Sequence, residues 1–388
     1  MTPAQDPPRY PQRLIGLEAA RAAHGETADT MARMLTAGDP LADAVITELD
    51  ALGKDARHLL NRGLAEGLDS LDSPPPAVAA LLRRLESAPE WVDHEALAAG
   101  DSVSLSVPPH WNLLAFVAGS LTHTYRSPSI AKLLVQTGQF DRMAPRRLAE
   151  TGVWRANAIL PGGLLHGAPG YVQTAQVRLL HARVRSTAIE HGWDTARWGV
   201  PINQVDTART WLAFTTVPFL LLERVGFALD DREQRRLYRY WWYIAHLLGL
   251  DEDLFLGIED HAGASPLLDL LDSTIAPPDD NSRALVSALY DAAVQVMAAG
   301  PGSFVTEAGA RAMLLALARD FHGDTLADAL GIPPSPAADL LPVMAIGNTQ
   351  LRHYQSAAPG PAAQERELIG AYYRDLVADL PGRTAYQT

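Results

Sequence analysis

The sequence contains no cysteine, which excludes disulfides, zinc thiolate centres, iron-sulfur clusters, thiolate-ligated haem and cysteine nucleophiles together. Lysine is almost missing as well. Lys54 and Lys132 are the only two, so nearly all positive charge is arginine. Lys+Arg 32 against Asp+Glu 45 leaves a net charge of -13, and an excess of that sign repels phosphate backbones and argues against nucleic-acid binding. Long hydrophobic runs are lacking. The greasiest stretch, Trp211 to Leu222, is interrupted by Thr215, Thr216 and Pro218 and falls short of the roughly 20 residues a membrane span needs, so it is read as a buried helix. No basic segment followed by an apolar one opens the chain, and a cytoplasmic location is expected. Strand-like alternation of Val, Ile and Thr is scarce. The HExxH, Walker, G-x-S-x-G and G-x-G-x-x-G signatures are all missing, which removes support for hydrolase, NTPase and dinucleotide-binding chemistry.

What is present is helix. The chain has 388 residues, 47% hydrophobic and 20% charged, a globular composition with ample material for a core. Asp39-Pro40 opens an amphipathic helix over Leu41 to Leu52, and Gly53 closes it. Ser127-Pro128 opens another, closed at Gly138. Asp206 is expected to cap a helix from Thr207 to Gly226, and Asp230 or Asp231 an arginine-rich helix ending at Gly249. The fold class is therefore all-α, read as one domain over 1–388. Residues 1–100 form an N-terminal helical appendage, 101–275 the core, and 276–388 a set of C-terminal helices after the connector TIAPPDDNSR.

The chemically unusual segment is Gln173 to His191. Its helical period gives an apolar stripe of Val177, Leu180, Val184 and Ala188, expected to be buried. Beside it lie Arg178, His181 and Arg185 at i, i+3 and i+7. An imidazole between two guanidiniums suits haem b, whose iron takes an axial histidine and whose propionates need cationic partners. The same spacing fits a core histidine flanked by solvated arginines, and the pattern alone leaves both open. His246 lies beside Trp242 on a helix with core stripe Leu237, Trp241, Ile244 and Leu248. It is read as pocket lining, a distal hydrogen-bonding group, or a buried imidazole bonded to a carbonyl. His166 follows the PGG loop, at a pocket mouth or in solvent. Capping and packing account for Asn203, Gln204 and Thr210.

Six blocks in order carry a family resemblance: GDPLADAV (38–45), PEWVDHEAL (89–97), TGQFDRMAPRRLAETG (137–152), VRLLHARVR (177–185), WGVPINQVDTARTWLAF (198–214) and YWWYIAHLLGL (240–250). Over roughly 40 to 330 the chain resembles the superfamily of latex clearing proteins and MpaB-type oxygenases. The resemblance implies a globin-like helical core around haem b, here residues 101–275, with additional N- and C-terminal helices. His181 matches the proximal iron ligand of the family's RxxHxxVR motif, and Arg178 and Arg185 match its arginines. His246 is placed with them among the cofactor-binding residues. The family's distal RxxKT motif corresponds to Arg147, Leu148, Ala149, Glu150 and Thr151, so a glutamate stands where the family has a lysine that can cap the iron. Ala131 stands at the position of an upstream catalytic glutamate. Arg147, Glu150 and Thr151 are the expected catalytic residues, with Glu150 as a weak ligand, a proton acceptor or a salt-bridge partner of Arg147.

The function so implied is a haem b-dependent oxygenase or peroxygenase-like tailoring enzyme. It would act on a hydrophobic small molecule, such as a terpenoid, polyketide or aromatic metabolite, with O₂ or peroxide, and C=C cleavage is the family's best-known chemistry. A non-catalytic haem sensor or carrier with a globin-like fold is the alternative. A helical protein holding non-haem metal through His and carboxylates is a weaker third reading. The sequence carries no sign of the oligomeric state.

Overall fold

Asp39 shows how the helices are set. Its side chain accepts a hydrogen bond from the Ala42 amide at 3.2 Å, Pro40 supplies a preset φ at the first position, and α1 (Pro40–Leu52) ends at Gly53 with φ 79°. The computed structural model describes residues 10–136, 140–299 and 306–378, with backbone alone for 140–143. Helix makes up 76% of it, and no strand occurs among the described residues, so the chain is all-α as expected. α2 spans Pro128–Gln136; the closure expected at Gly138 lies outside the described residues. α3 (Phe140–Ile159) and α4 (Pro169–Glu190) follow as an antiparallel pair.

Two boundaries differ from the sequence expectation. Asn203, not Asp206, caps α5 (Gln204–Phe214), its side chain accepting from the Asp206 amide at 3.0 Å. The expected long helix to Gly226 breaks at Thr215 (φ -111°, ψ -73°), and a separate helix runs Thr216–Arg224. Pro218 explains the break, because it lacks an N–H and is tolerated only in the first turn of a helix. Starting anew at Thr216 puts it there. α6 (Asp231–Leu247) begins with a capping box, Asp230 bonding the Arg232 and Glu233 amides while Glu233 bonds back to the Asp230 amide.

One hydrophobic core runs through the helices. At its centre α3, α5 and α6 interlock through rings: Phe214 stacks on Trp241 at 5.5 Å, and Trp154 meets Phe214 edge-on at 5.1 Å. Leu237, Trp241 and Ile244 are buried as the periodicity of α6 predicts, while Leu248 is half-buried. α7 (Asp280–Ala299) and α8 (Pro359–Ala378) pack along α3, so the C-terminal helices cover its other flanks. Among the described residues no helix is long and apolar enough to cross a membrane.

Candidate functional site

The α3–α4 hairpin is closed by two glycines that leave no room for a side chain. A Cβ on Gly163 would lie 1.9 Å from the Asn157 carbonyl oxygen, and one on Gly170 would lie 2.5 Å from the same atom. This tight turn fixes the register. Trp154 Nε1 donates to Thr174 Oγ1 at 3.0 Å, and Asn157 Nδ2 donates to Gln173 Oε1 at 3.0 Å. Moving away from the turn along both helices, Glu150 and Thr151 come level with Val177 and Arg178, and Arg147 comes level with His181.

On α4 the buried face is not the one its hydrophobicity suggests. Tyr171, Thr174, Ala175, Arg178, Leu179, Ala182 and Arg185 are buried, whereas Val177, Leu180, Val184 and Ala188 are only half-buried. The reason is charge pairing. Arg178 donates Nε and Nη2 to Asp39 at 2.6 and 2.9 Å. Arg185 donates Nε to Asp43 at 2.8 Å and Nη1 to the carbonyls of Pro201 and Ile202 at 3.3 and 2.6 Å. Both guanidiniums are thus committed to carboxylates of the α1 region, where the spacing had suggested propionate partners and, as the bland reading, a solvated face. Asp39 and Asp43 were missed as site residues, although they lie in the GDPLADAV block. Glycines make room for the pairs: a Cβ on Gly38 would crowd Asp43 and Arg185, and one on Gly249 would lie 2.6 Å from Arg178. Gln204 ties the assembly together by donating to the carbonyls of Gly38 and Gly249 and accepting from the Asp251 amide.

His181 lies between the inward-turned arginines and the half-buried Val177, Val184 and Ala188 of the same helix. It is half-buried and, among the described residues, forms no hydrogen bond, ion pair or ring contact. Burial pushes its pKa down to about 4, helped by the Arg185 charge and opposed by Asp39. It is neutral at physiological pH, which is the form that binds iron. A neutral imidazole without a partner, framed by apolar side chains that are not fully covered, fits an axial haem ligand.

On α3, Arg147 and Thr151 line a cavity of about 30 Å³ with Tyr125, Leu121, Ala144, Leu148 and Leu289. Burial holds the Tyr125 hydroxyl up at about 12, although the Arg147 charge pulls it down. Glu150 does not bond to Arg147. Its carboxylate pairs with Arg146 Nε at 2.7 Å, one turn away.

Residues 110–351 match the family model described as the ER-bound oxygenase mpaB/B′/rubber oxygenase catalytic domain. The chain belongs to this family. A solved structure of latex clearing protein in the closed state superposes on this member with a TM-score of 0.60 at 17% identity, covering 89% of this chain and 91% of that one. That likeness concerns the fold. No curated protein matches the sequence.

Other candidates fall outside this member's α3–α4 face. His246 is buried, stacks on Tyr243 at 6.1 Å and meets Trp91 edge-on at 6.0 Å. Its buried Nε2 has no hydrogen-bond partner among the described residues, and burial, with the Arg84 and Arg178 charges, lowers its pKa to about 4. His166 is exposed, 3.8 Å from Glu86. The sequence reading also missed a buried polar cluster. His123, Arg209 and Arg126 converge on Asp272 at 3.0, 2.7 and 2.7 Å, and His322 stacks on His123 at 6.4 Å while its Nε2 bonds the Ala118 carbonyl. Burial opposes ionisation of Asp272, but these partners hold its carboxyl far below the usual range. No sequence signal links residues so distant along the chain. Among the described residues, no group of three or more His, Asp or Glu is arranged to hold a metal ion.

Proposed function

We propose that this oxygenase-family member binds haem b through His181 and oxidises a hydrophobic small molecule, with C=C cleavage as the chemistry its family supports. The observation that carries the reading is the neutral, unpartnered imidazole of His181 on a half-covered apolar face, level with Arg147 across the helix pair. Bound haem would supply the activation of O₂ or peroxide.

The chain's own residues do the rest. Arg178 and Arg185 lock α4 against α1 through Asp39 and Asp43, so the backbone that carries His181 is held at fixed depth. Val177, Leu180 and Val184 keep water from the ligand face. Arg147 offers a permanent positive charge to an anion developing on the distal side, and Thr151 a hydroxyl. Glu150 can accept or deliver a proton once released from Arg146. Its engagement with Arg146 is also the one observation that favours the sensor or carrier reading, in which no proton is moved.

The test is oxygen or peroxide consumption by haem-loaded protein with a panel of terpenoid and aromatic compounds, read by mass for incorporated oxygen. Product that disappears in His181→Ala supports the proposal. Reversible O₂ or CO binding with no oxidation of any compound overturns it in favour of the sensor.

A further inference from the structure

A cavity of about 790 Å³ lies on another face of α3, between α3, α7, α8 and the helix Pro109–Leu114. Its size is within the ~300–1,000 Å³ of small-molecule sites. Leu113, Phe116, Leu148 and Leu376 make apolar walls. Val296 and Tyr372, which also line it, are 46% and 50% exposed, placing them at an open mouth.

Its floor holds an unusual charge. Five arginines are buried among the described residues: Arg155, Arg178, Arg185, Arg209 and Arg352. Four of them pair with carboxylates, namely those of Asp39, Asp43, Asp272 and Glu233. Arg155 does not. Its Nη2 donates to two neutral acceptors, Ser104 Oγ at 3.1 Å and Asn112 Oδ1 at 3.3 Å, and the buried Tyr373 lines the same cavity. The carboxylate beyond Ser104, that of Asp101, is occupied by the Val103 and Ser104 amides, the Ser104 hydroxyl and Trp241 Nε1. A guanidinium desolvated without a direct counter-ion is costly. Arg146, which pairs with Glu150, also lines the cavity, and among the described residues no acidic side chain does, in a chain whose net charge is -13.

We propose that this cavity is a binding site for an apolar carboxylic acid, its carboxylate on Arg155 and Tyr373 and its hydrocarbon body between Phe116 and Leu148. A carboxylate there completes the fork of Arg155 with charge-assisted hydrogen bonds. The site stands apart from the haem reading. It meets the Arg147–Thr151 side of α3 across the single side chain of Leu148, which lines both cavities. Gly152 contributes open space to it, because a Cβ there would touch no atom within 4 Å.

The experiment is calorimetric titration of the purified full-length protein with decanoate, with decanol as the uncharged control. The expected result is one decanoate per chain, bound at least tenfold more tightly than decanol. Arg155→Gln should remove that preference and leave decanol within threefold. Gly152→Leu, which fills the cavity from a helical position with ordinary φ, should weaken both ligands at least tenfold while circular dichroism stays native. Equal affinity of wild type for acid and alcohol overturns the proposal, as does absence of binding or a Gly152→Leu variant that binds decanoate like wild type. Should Arg155→Gln fail to fold, the acid-to-alcohol comparison and Gly152→Leu decide the matter. Loss of haem binding or of oxidase activity would not bear on these titrations.

Discussion

Arg178 and Asp39 form a bidentate ion pair at 2.6 and 2.9 Å, and the same carboxylate caps α1 through the Ala42 amide. One buried group therefore fixes the start of α1 and the depth of the histidine-bearing helix. The neighbouring pair, Arg185 with Asp43, repeats the device closer to solvent, with Asp43 39% exposed.

Removing one partner of a buried pair strands the other charge. Asp39→Ala should cost about 3–5 kcal/mol, whereas Asp43→Ala should cost about 1 kcal/mol or less, since solvent screens it and two carbonyls still hold Arg185. Urea unfolding of the two variants measures both. Equal losses would show that the two pairs do not differ as their burial implies.

Acid should destabilise the protein in a defined window. Burial lowers the pKa of His246 and His261 to about 4 and that of His322 to about 3, all from the ordinary 6.5. Unfolded, each takes up a proton near pH 6.5; folded, each resists until near pH 4 or 3. Stability is thus full above about pH 6.5 and is lost as pH drops from 6.5 toward 4, and to 3 for His322. Unfolding free energies measured from pH 7 to 4 should decline monotonically below 6.5. A flat profile over that range would refute the assignment.

Arg147 and Glu150 separate catalysis from carriage. Arg147→Ala and Glu150→Gln should each lower turnover by about 10²–10⁴-fold while the ferric absorption spectrum stays that of wild type. Glu150→Gln should leave stability within about 1 kcal/mol, because its pair with Arg146 is exposed on the arginine side. Variants that shift only the affinity for CO or O₂ would point to a sensor.

The distal coordination should be free of lysine. On the proposed reading Glu150 takes the lysine position of the distal motif, and Lys54 and Lys132 are the only lysines. Ferric protein should bind cyanide or imidazole without displacing a strong internal donor. A resonance Raman signature of bis-nitrogen ligation involving lysine would contradict this.

Two helix starts were legible in the sequence, because Asp39-Pro40 and Asp230 are local signals that the structure uses as they stand, whereas the start expected at Asp206 is capped by Asn203. The orientation of α4 was not. Periodicity reveals that Val177, Leu180 and Val184 share a face, and burial of apolar surface argues for turning it inward. The competing pull came from Asp39 and Asp43, some 140 positions away, and no local pattern reports a pairing at that distance. Glu150 is the opposite case, since its partner Arg146 lies only four residues away, one residue from the Arg147 expected; the cavity under Arg155, whose walls come from separated helices, is again non-local. The split at Thr215 was foreshadowed by Pro218, a residue that already argued against a membrane span.

The most direct test of the central claim is the absorption spectrum of haem-loaded protein, wild type against His181→Ala. The account predicts one haem b per chain with a histidine-ligated Soret band that His181→Ala abolishes or scrambles and that His246→Ala or His166→Ala leaves in place. A colourless protein that takes up no haem on reconstitution, or a proximal bond that survives loss of His181, would contradict it.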